Sequence, residues 1–414
     1  MQPLTIIFIL FVAYSSQAQS ILLRPDRVFD GVELHEGWVV LVEGERIKAV
    51  GTQNSIQIPT NARIIELPGT TLLPGLIEGH SHILLHPYNE VSWDDQVIRE
   101  SQAERVARAT VHARATLMAG FTTIRDLGSE GADYADVGLK TAIEKGVIPG
   151  PRMLVAGRAI VATGSYGPKG FVSNATIPLG AEEADGVDNL IKVVRDQIGK
   201  GADIVKVYAD YRWGLNNQAM PTFSIEELKL MVETAKSSGR PVVAHAATAE
   251  GMRRATLAGV ETIEHGDSGT KEVFDLMKSK GVALCPTIAA GDAILQYRGW
   301  KKGDAEPERI RQKRQSFKWA LESGVTIVAG GDVGVFKHGD NARELELMVD
   351  YGMKPLDVLR SATSVNANVF HLTDLGKIQT GFLADLIAVQ GKPEQQISDI
   401  RKVKLVMKNG VILE

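Results

Sequence analysis

The chain has 414 residues, of which 44% are hydrophobic and 23% are charged, with a formal net charge of −4. These proportions are typical of a globular protein and exclude a disordered or collagen-like chain. No long basic run indicates a nucleic-acid surface, and a single cysteine, Cys285, excludes an internal disulfide.

The most apolar stretch of the chain lies near its N-terminus, from Leu4 to Ala13. It is about ten residues long, whereas a helix that spans a bilayer needs about 20. Ser16 and Ala18 then occupy the −3 and −1 positions of a signal-peptidase site. This pattern predicts a signal peptide over residues 1–18, cleaved after Ala18, and a secreted or periplasmic protein without a membrane anchor. The alternative is a buried first strand of the mature fold.

Short runs rich in valine and isoleucine occupy both ends of the remaining chain. Residues 19–73 contain such runs around a Pro-Gly pair at 68–69, and residues 376–414 contain them around an Asn-Gly pair at 409–410. Apolar runs between turn signals are typical of short antiparallel strands. We therefore predict one small β-sandwich domain that is built from both chain ends.

The middle of the chain, residues 74–375, alternates apolar runs with amphipathic segments. One helical segment begins at Ser224, which forms a capping-box pattern with Glu227, and ends near Gly239; another follows Thr248. The apolar runs are LIEGHSH, TTIRDLG, RMLVAG, IVKVYA, VVAHA, TIEHG, ALCPT and TIVAGGD. Eight runs that alternate with helices predict an α/β fold, a (β/α)8 TIM barrel. An open doubly wound sheet is the alternative, but the Gly-x-Gly-x-x-Gly signature is missing.

Chemically reactive side chains stand on several of these runs. His80 and His82 end the first run two residues apart, so their side chains share one face of the strand. The rest of the set, in the order of the runs, is Lys206, His245, His265 and Asp332. Barrel strands gather their carboxyl ends at one mouth, where active sites lie. A lone histidine there is more often structural, but the whole set predicts a site for Zn²⁺ or a similar first-row ion.

The segment LPGLIEGHSH, from Leu73 to His82, resembles the first-strand signature of the metal-dependent amidohydrolase superfamily. The later segments VKV, AHA, IEHG and GD resemble its other ligand strands in the same order, and the resemblance covers the whole chain after residue 18. Within the superfamily, the sequence is most similar to the branch of Xaa-Pro dipeptidases and zinc carboxypeptidase-like enzymes, which borders imidazolonepropionase.

The resemblance implies two divalent metal ions, expected to be Zn²⁺, with one held by His80, His82 and Asp332 and the other by His245 and His265. It also implies that CO₂ carboxylates Lys206 to a carbamate that bridges both ions. Burial among apolar neighbours would supply the neutral amine that this needs; an ion pair with a nearby acid is the alternative. A hydroxide between the metals would then attack an amide carbonyl. Asp332 is the expected proton shuttle, and His265 is the second catalytic candidate.

Candidate substrate contacts lie on loops at the same mouth. Tyr166 follows the third run, Tyr211 and Arg212 follow the fourth, and His338 follows the eighth, while Arg298 lies on the loop after the seventh. An arginine fork suits a free carboxylate, although a solvated loop charge is the alternative for each. The expected substrate is a small molecule with an amide bond, either a dipeptide or an N-acyl amino acid.

Two other functions stay open at this point. One is a mononuclear hydrolase of cyclic amides, similar to imidazolonepropionase, or a deaminase, with a single ion and an unmodified Lys206. The other is a binding protein without catalysis on the same scaffold. Ala247 and Ser165 also stand where dipeptidase relatives often carry other residues, so the substrate is left open. A homo-oligomer is compatible with the sequence.

Overall fold

The computed structural model of the chain describes residues 20–172 and 174–414. The predicted signal segment, residues 1–18, lies outside the described residues. Within those two ranges, no helix combines the length and the hydropathy that crossing a membrane requires. The strands are β1 (Ser20–Phe29), β2 (Leu34–Glu36), β3 (Trp38–Glu43), β4 (Arg46–Thr52), β5 (Arg63–Pro74), β6 (Leu76–Ser81), β7 (Phe121–Asp126), β8 (Arg152–Val155), β9 (Ile160–Val161), β10 (Glu182–Glu183), β11 (Val205–Tyr208), β12 (Asp210–Arg212), β13 (Ala219–Pro221), β14 (Val242–Thr248), β15 (Thr262–Ser268), β16 (Ala283–Cys285), β17 (Leu386–Gln390), β18 (Val403–Lys408) and β19 (Val411–Leu413). The helices are α1 (Trp93–Arg99), α2 (Gln102–Met118), α3 (Ala135–Glu144), α4 (Gly186–Gly199), α5 (Ile225–Lys236), α6 (Ala249–Ala258), α7 (Lys271–Lys280), α8 (Ile288–Tyr297), α9 (Glu308–Ser323), α10 (Ala342–Asp350), α11 (Pro355–Arg360) and α12 (Asn366–Val369).

Strands from both ends of the chain share one mixed sheet. Its order is β19-β18-β17-β5-β1-β3-β4, and β2 pairs with β1. The C-terminal strand β17 is antiparallel to β5, with Leu386 opposite Pro74, while β1 and β5 run parallel. A second sheet facing this one, which a sandwich requires, is not among the sheets of residues 20–172 and 174–414. The sandwich therefore stays a prediction.

The Pro-Gly pair at 68–69 is not a turn between two strands, because it lies inside β5. Gly69 has a φ of 72°, and the register between β1 and β5 shifts at this point of the ladder. The extra residues therefore form a bulge, which glycine allows since it adopts positive φ without steric conflict. The antiparallel hairpin expected around this pair is wrong.

The middle of the chain builds two parallel sheets. One has the order β6-β7-β8, and the other has the order β10-β9-β11-β14-β15-β16. Strands such as β7 and β11 are buried along their whole length, which explains why they appear in the sequence as continuous apolar runs. The two sheets are also linked, since Asp203 N, just before β11, donates to Val155 O of β8 at 2.8 Å.

The eighth predicted strand, at 326–332, is not a regular strand. Ile327 forms an isolated bridge with β16, and Val333 forms one with β6. Two glycines precede Asp332, whose φ of 63° departs from extended geometry and interrupts any ladder. The prediction of a continuous strand is therefore wrong, although the segment does lie between the outer strands of the two parallel sheets.

The predicted helix starts at Ser224 and Thr248 are confirmed. Ser224 Oγ accepts from Glu227 N while the Glu227 side chain accepts from Ser224 N, which is a complete capping box for α5. Thr248 Oγ1 accepts from Gly251 N and begins α6 directly after β14. The Thr248 cap fixes the point at which the chain leaves the strand that carries His245.

Candidate active site

A cavity of about 740 Å³ opens toward the carboxyl ends of the parallel strands. Five of the six predicted metal ligands line it, namely His80, His82, His245, His265 and Asp332. Lys206 is fully buried and is not part of the lining. The residues that the sequence distributes over about 250 positions are thus brought to one place.

Four of these side chains form a tight cluster. His80 Nε2 lies 3.3 Å from His82 Nε2, and Asp332 Oδ1 lies 3.6 Å from the first and 3.3 Å from the second of these atoms. The rings of His80 and His265 are 5.2 Å apart. His80, His265 and Asp332 each offer a ligand atom within 4.8 Å of the others, so this cluster has the spacing to hold a metal ion.

His245 and Lys206 extend the cluster on one side. The ring of His245 lies 4.3 Å from that of His265. Lys206 Nζ is buried and has no hydrogen-bond partner among the described residues, so the alternative of a lysine paired with an acid is not formed there. Burial lowers the pKa of this amine, since a charge without a partner is disfavoured in the interior. A buried amine without a hydrogen-bond partner among the described residues, with its pKa lowered, fits a lysine that CO₂ modifies.

The hydrogen bonds of His80 and His82 fix which nitrogen faces the cluster. Burial raises the pKa of Glu264, but Arg125 and His80 outweigh it and hold the pKa well below its usual range. The ionised Glu264 can only accept, so His80 Nδ1 donates to it at 2.9 Å. His82 Nδ1 likewise donates to the Gly128 carbonyl at 2.9 Å. The Nε2 atoms of both rings therefore face the cluster, where each can coordinate a metal once it carries no proton.

Electrostatics prepare the cluster for a cation. Burial and the charge of Lys206 lower the pKa of His80 to about 4 and that of His245 to about 3. Burial works against the charged form of His82, but the adjacent Asp332 carboxylate raises the pKa of His82 to about 9. Burial also raises the pKa of Asp332, yet His80 and His82 hold it at about 2. Near neutral pH His80 and His245 are thus neutral imidazoles, whereas His82 holds a proton beside the ionised Asp332 carboxylate. A cation that binds the cluster would displace that proton.

Backbone strain is concentrated in the same cavity. Glu130, His265, Thr287 and Asp332 all line it and have φ values of 49°, 77°, 48° and 63°. Such left-handed conformations cost non-glycine residues about 1–3 kcal/mol each and persist mainly at functional sites. Thr287 Oγ1 lies 2.7 Å from His265 Nδ1, so the strained turn before α8 also orients a predicted ligand.

Three of the four predicted substrate contacts line the cavity, namely Tyr166, Tyr211 and Arg212. Arg298 lines it as well. His338 does not: its side chain is buried, and its Nε2 donates to the Leu85 carbonyl at 2.9 Å. The expected contact between His338 and the substrate is therefore corrected, because the loop after the eighth run folds this side chain into the interior.

The cavity also contains acids that the sequence analysis missed. Glu130, Asp210 and Asp267 all line it. Asp267 stands two residues after His265, the same spacing that singled out His80 and His82, so the strand pattern could have found it. Glu130 follows the end of β7 by four residues, and no spacing rule points to a loop position of this kind.

Comparison with known proteins agrees with this geometry. Residues 71–413 match the Amidohydrolase family. The ochratoxinase of Aspergillus niger is 31% identical over 364 residues, which cover 81% of this chain and 73% of that protein. The crystal structure of a Xaa-Pro dipeptidase with bound methionine superposes with a TM-score of 0.84 at 32% identity, covering 96% of this chain and 100% of that one. A prolidase complexed with N-methylphosphonate-L-proline gives a TM-score of 0.84 at 28% identity with the same coverage. The chain therefore belongs to the amidohydrolase family, with its α/β fold, and is a hydrolase of carbon–nitrogen bonds.

Proposed function

We propose that the protein is a binuclear metal-dependent amidohydrolase that cleaves the amide bond of a dipeptide or an N-acyl amino acid. The observation that carries the proposal is the convergence of three histidines and Asp332 beside a buried Lys206, whose Nζ has no hydrogen-bond partner within residues 20–172 and 174–414. Dipeptidase and prolidase structures among the relatives support this substrate class.

The donor set fits two divalent ions. His80, His82 and Asp332 would hold one, His245 and His265 would hold the other, and a carboxylated Lys206 would contribute to both. When bound, such ions polarise the carbonyl of an amide and lower the pKa of water toward neutrality. Imidazole and carboxylate donors suit Zn²⁺ and its first-row neighbours.

The residues of the chain supply the proton transfer. Asp332 is ionised at neutral pH, because the neighbouring histidines hold its pKa at about 2. It can therefore take a proton during attack on the amide and deliver it to the departing amine. Its strained backbone keeps the carboxylate within 3.6 Å of both His80 and His82, which is the geometry that this role requires.

The cavity can hold a small substrate with a free carboxylate. Its volume of about 740 Å³ lies within the usual range for small-molecule sites. Arg212 and Arg298 both line it and are exposed, and Arg298 makes no side-chain hydrogen bond or ion pair within the described ranges. Either guanidinium can bind a carboxylate in bidentate geometry.

We further propose that the two parallel sheets are parts of one closed (β/α)8 barrel and that the mixed sheet forms a β-sandwich domain. The isolated bridges at Ile327 and Val333 support closure, since they connect β16 to β6 through the segment 326–333.

Export is proposed as well. N-terminal sequencing of the secreted form is expected to begin at Gln19, and an intact N-terminus at Met1 would contradict it.

The decisive experiment measures metal content and turnover on the same preparation. We expect two metal ions per chain and hydrolysis within a panel of dipeptides and N-acyl amino acids. One tightly bound ion, an unmodified Lys206 and turnover of a cyclic amide would instead favour the mononuclear hydrolase. Metal-free protein without turnover across the panel would favour a binding protein.

Replacement of Lys206 tests the bridging role separately. Lys206→Ala is expected to reduce kcat by about 10²-fold or more, because a ligand shared by both ions is lost. A short carboxylate such as propionate should restore part of the activity by taking the place of the carbamate. Lys200→Ala, at the exposed end of α4, is the control. Unchanged kcat in the Lys206 variant would exclude the carbamate.

A further inference from the structure

Glu130 is a buried carboxylate that opens onto the cavity. It is 2% exposed and belongs to the cavity lining. Its hydrogen-bond donors are neutral: Trp93 Nε1 at 2.9 Å, Tyr166 OH at 2.7 Å and Tyr208 OH at 3.4 Å. In the described part of the chain, no lysine or arginine nitrogen lies within 4.0 Å of it. A buried carboxylate normally has a cationic partner at hydrogen-bond distance, whereas the basic nitrogen found near Glu130 in the described residues, His82 Nδ1, lies 3.9 Å from Oε1 and donates elsewhere, so the carboxylate has room for a cation.

The hydrogen bonds of Glu130 are unevenly distributed over its two oxygens. Oε2 accepts from both Trp93 and Tyr166, whereas among the described residues Oε1 has only the long hydrogen bond from Tyr208, at 3.4 Å. An ionised carboxylate can accept about four hydrogen bonds. Oε1 therefore retains free accepting capacity, and it is the oxygen nearer to His82.

The position of Glu130 is not explained by support of the histidine cluster. His82 Nδ1 already donates to the Gly128 carbonyl at 2.9 Å and lies 3.9 Å from Glu130 Oε1. Arg105, a buried cation nearby, donates to backbone carbonyls that include those of Ser129 and Glu130, so it holds the loop rather than the carboxylate. The loop keeps Glu130 at a φ of 49°, a strained conformation typical of a functional residue.

Four aromatic side chains surround the carboxylate and form what we call the aromatic wall, Trp93, Tyr166, Tyr208 and Tyr211. The ring centroid of Tyr166 lies 5.2 Å from that of Trp93, 4.7 Å from that of Tyr208 and 4.8 Å from that of Tyr211. All four line the cavity. Aromatic faces attract cations, most strongly where water is excluded.

We propose that Glu130 and the aromatic wall bind the protonated primary amine of the substrate. The inference rests on the proposed function and narrows its substrate class to dipeptides with a free N-terminus, against N-acyl amino acids. Glu130 and the histidine cluster line the same cavity, with Glu130 Oε1 3.9 Å from Nδ1 of the His82 ring whose Nε2 faces the cluster. Only one carbon separates the α-amine of a dipeptide from the scissile carbonyl. An ammonium group can therefore reach Glu130 while the amide faces the cluster.

The chemistry of the site selects a primary ammonium group. Oε1 can accept a charge-assisted hydrogen bond, which is shorter and stronger than one between neutral groups. A quaternary ammonium has no proton to donate, so the free oxygen would remain unsatisfied. The Arg212 guanidinium lies 5.3 Å from the Tyr211 ring centroid at the exposed mouth of the cavity. Solvent and salt screen its charge there, and the guanidinium is available to bind the substrate carboxylate.

A pair of matched substrates tests the inference. An alanyl-amino acid that the enzyme cleaves is compared with its propionyl counterpart, which has the same shape and lacks the amine. The metal-loaded wild-type enzyme should favour the alanyl substrate by about 10- to 100-fold in kcat/KM. Glu130→Gln should lose this preference by slowing only the alanyl substrate. Glu104→Gln, at an exposed position of α2, should keep it.

The outcomes separate the two proposals. Equal kcat/KM of the wild-type enzyme for both substrates would overturn the ammonium site and leave the amidohydrolase function intact. Failure to cleave any dipeptide or N-acyl amino acid would overturn the proposed function instead. A preference that Glu130→Gln retains would remove Glu130 from recognition.

A pH profile of the wild-type enzyme avoids dependence on the folding of a variant. The α-amine of a peptide has a pKa of about 8. The ratio of kcat/KM for the alanyl and propionyl substrates should therefore fall as pH rises above about 8. A ratio that stays constant from pH 7 to pH 10 would contradict recognition of the charged amine.

Discussion

His80 depends on two charged residues that do not reach the cavity. Glu264 accepts from His80 Nδ1 with one oxygen and from Arg125 Nη2 with the other, at 2.9 Å and 2.8 Å. Arg125 also donates to the Gly79 carbonyl at 2.7 Å and packs on the Phe370 ring at 4.1 Å. Each buried charge is therefore compensated, and a ligand on β6 is held by side chains of β7 and β15.

Glu264→Gln is expected to weaken both the fold and the metal site. Loss of the negative charge leaves Arg125 buried and uncompensated, which should lower the free energy of unfolding by about 3–5 kcal/mol. The loss of orientation at His80 should reduce metal affinity by about 10- to 100-fold. Urea unfolding and competition with a chelator measure the two effects. Glu250→Gln, in an exposed ion pair, is the control and should change neither the free energy of unfolding nor the metal affinity. Equal effects of the two variants would refute the role of Glu264.

Asp332→Asn is expected to remove proton transfer while the protein stays folded. The amide cannot take a proton from the nucleophile, so kcat should fall by about 10²- to 10⁴-fold. Steady-state kinetics on metal-loaded protein measure the effect, and circular dichroism checks the fold. Asp275→Asn, in an exposed pair on α7, is the control. Near-normal kcat with full metal content would exclude Asp332 from this step.

The end of β6 and the segment 329–332 lie close together at the site, although they do not pair as regular strands. Gly79 N donates to Ala329 O at 2.9 Å, and Asp332 N donates to His80 O at 2.8 Å. Glu78 strengthens this contact by accepting from Gly331 N at 2.7 Å and from Asn341 Nδ2 at 2.9 Å. The end of β6 and the turn at Asp332 are therefore one unit, so displacement of either would separate the metal ligands.

Gly330→Ala is expected to disturb this unit. A Cβ at this position would lie 2.6 Å from Cys285 Sγ and 2.7 Å from His80 N. Overpacking of this kind should lower the free energy of unfolding by about 1–3 kcal/mol and reduce metal occupancy. The control is Gly138→Ala in α3, where a Cβ meets nothing within 4 Å. This variant should raise the free energy of unfolding by about 0.5–1 kcal/mol, because alanine favours the helix over glycine. Full metal occupancy in Gly330→Ala would show that the two segments tolerate separation.

The whole molecule brings its candidate metal ligands together from distant parts of the chain. His80 comes from one parallel sheet, His245 and His265 come from the other, and Asp332 comes from the segment between them. In the proposed arrangement a carboxylated Lys206 is shared by both ions, so the two ions together would connect both sheets in the folded state and would have no comparable site in the unfolded chain. Metal binding should therefore stabilise the entire fold.

Removal of metal is expected to lower Tm reversibly. Saturation at about 100 times Kd contributes about 2.7 kcal/mol, so a chelator should lower Tm by about 3 °C in a chain of this length. Calorimetry before and after addition of Zn²⁺ or Mn²⁺ measures the shift in Tm. The Lys206→Ala variant should show a smaller shift than the wild-type protein. A Tm that is insensitive to chelator, with metal demonstrably removed, would show that the ions do not connect the sheets.

Most of the metal site was predictable from local patterns. The histidines stand at or near strand ends, and the two-residue spacing of His80 and His82 already places both on one face. The capping signals at Ser224 and Thr248 also gave correct helix starts, because a cap depends only on neighbouring backbone atoms. Asp267 follows the same two-residue spacing, counted from His265, so its place in the cavity was equally predictable.

The sequence by itself determined the alternation of strands and helices and the order in which the reactive side chains follow each other, because both depend on periodicity and spacing along the chain. Only the tertiary structure decided that Glu130 faces the cavity, that His338 does not, and that Lys206 has no partner among the described residues. Those outcomes depend on which loops and strands pack together over separations of tens to hundreds of residues, and side-chain direction in a loop is set by its contacts rather than by its position in a repeating pattern.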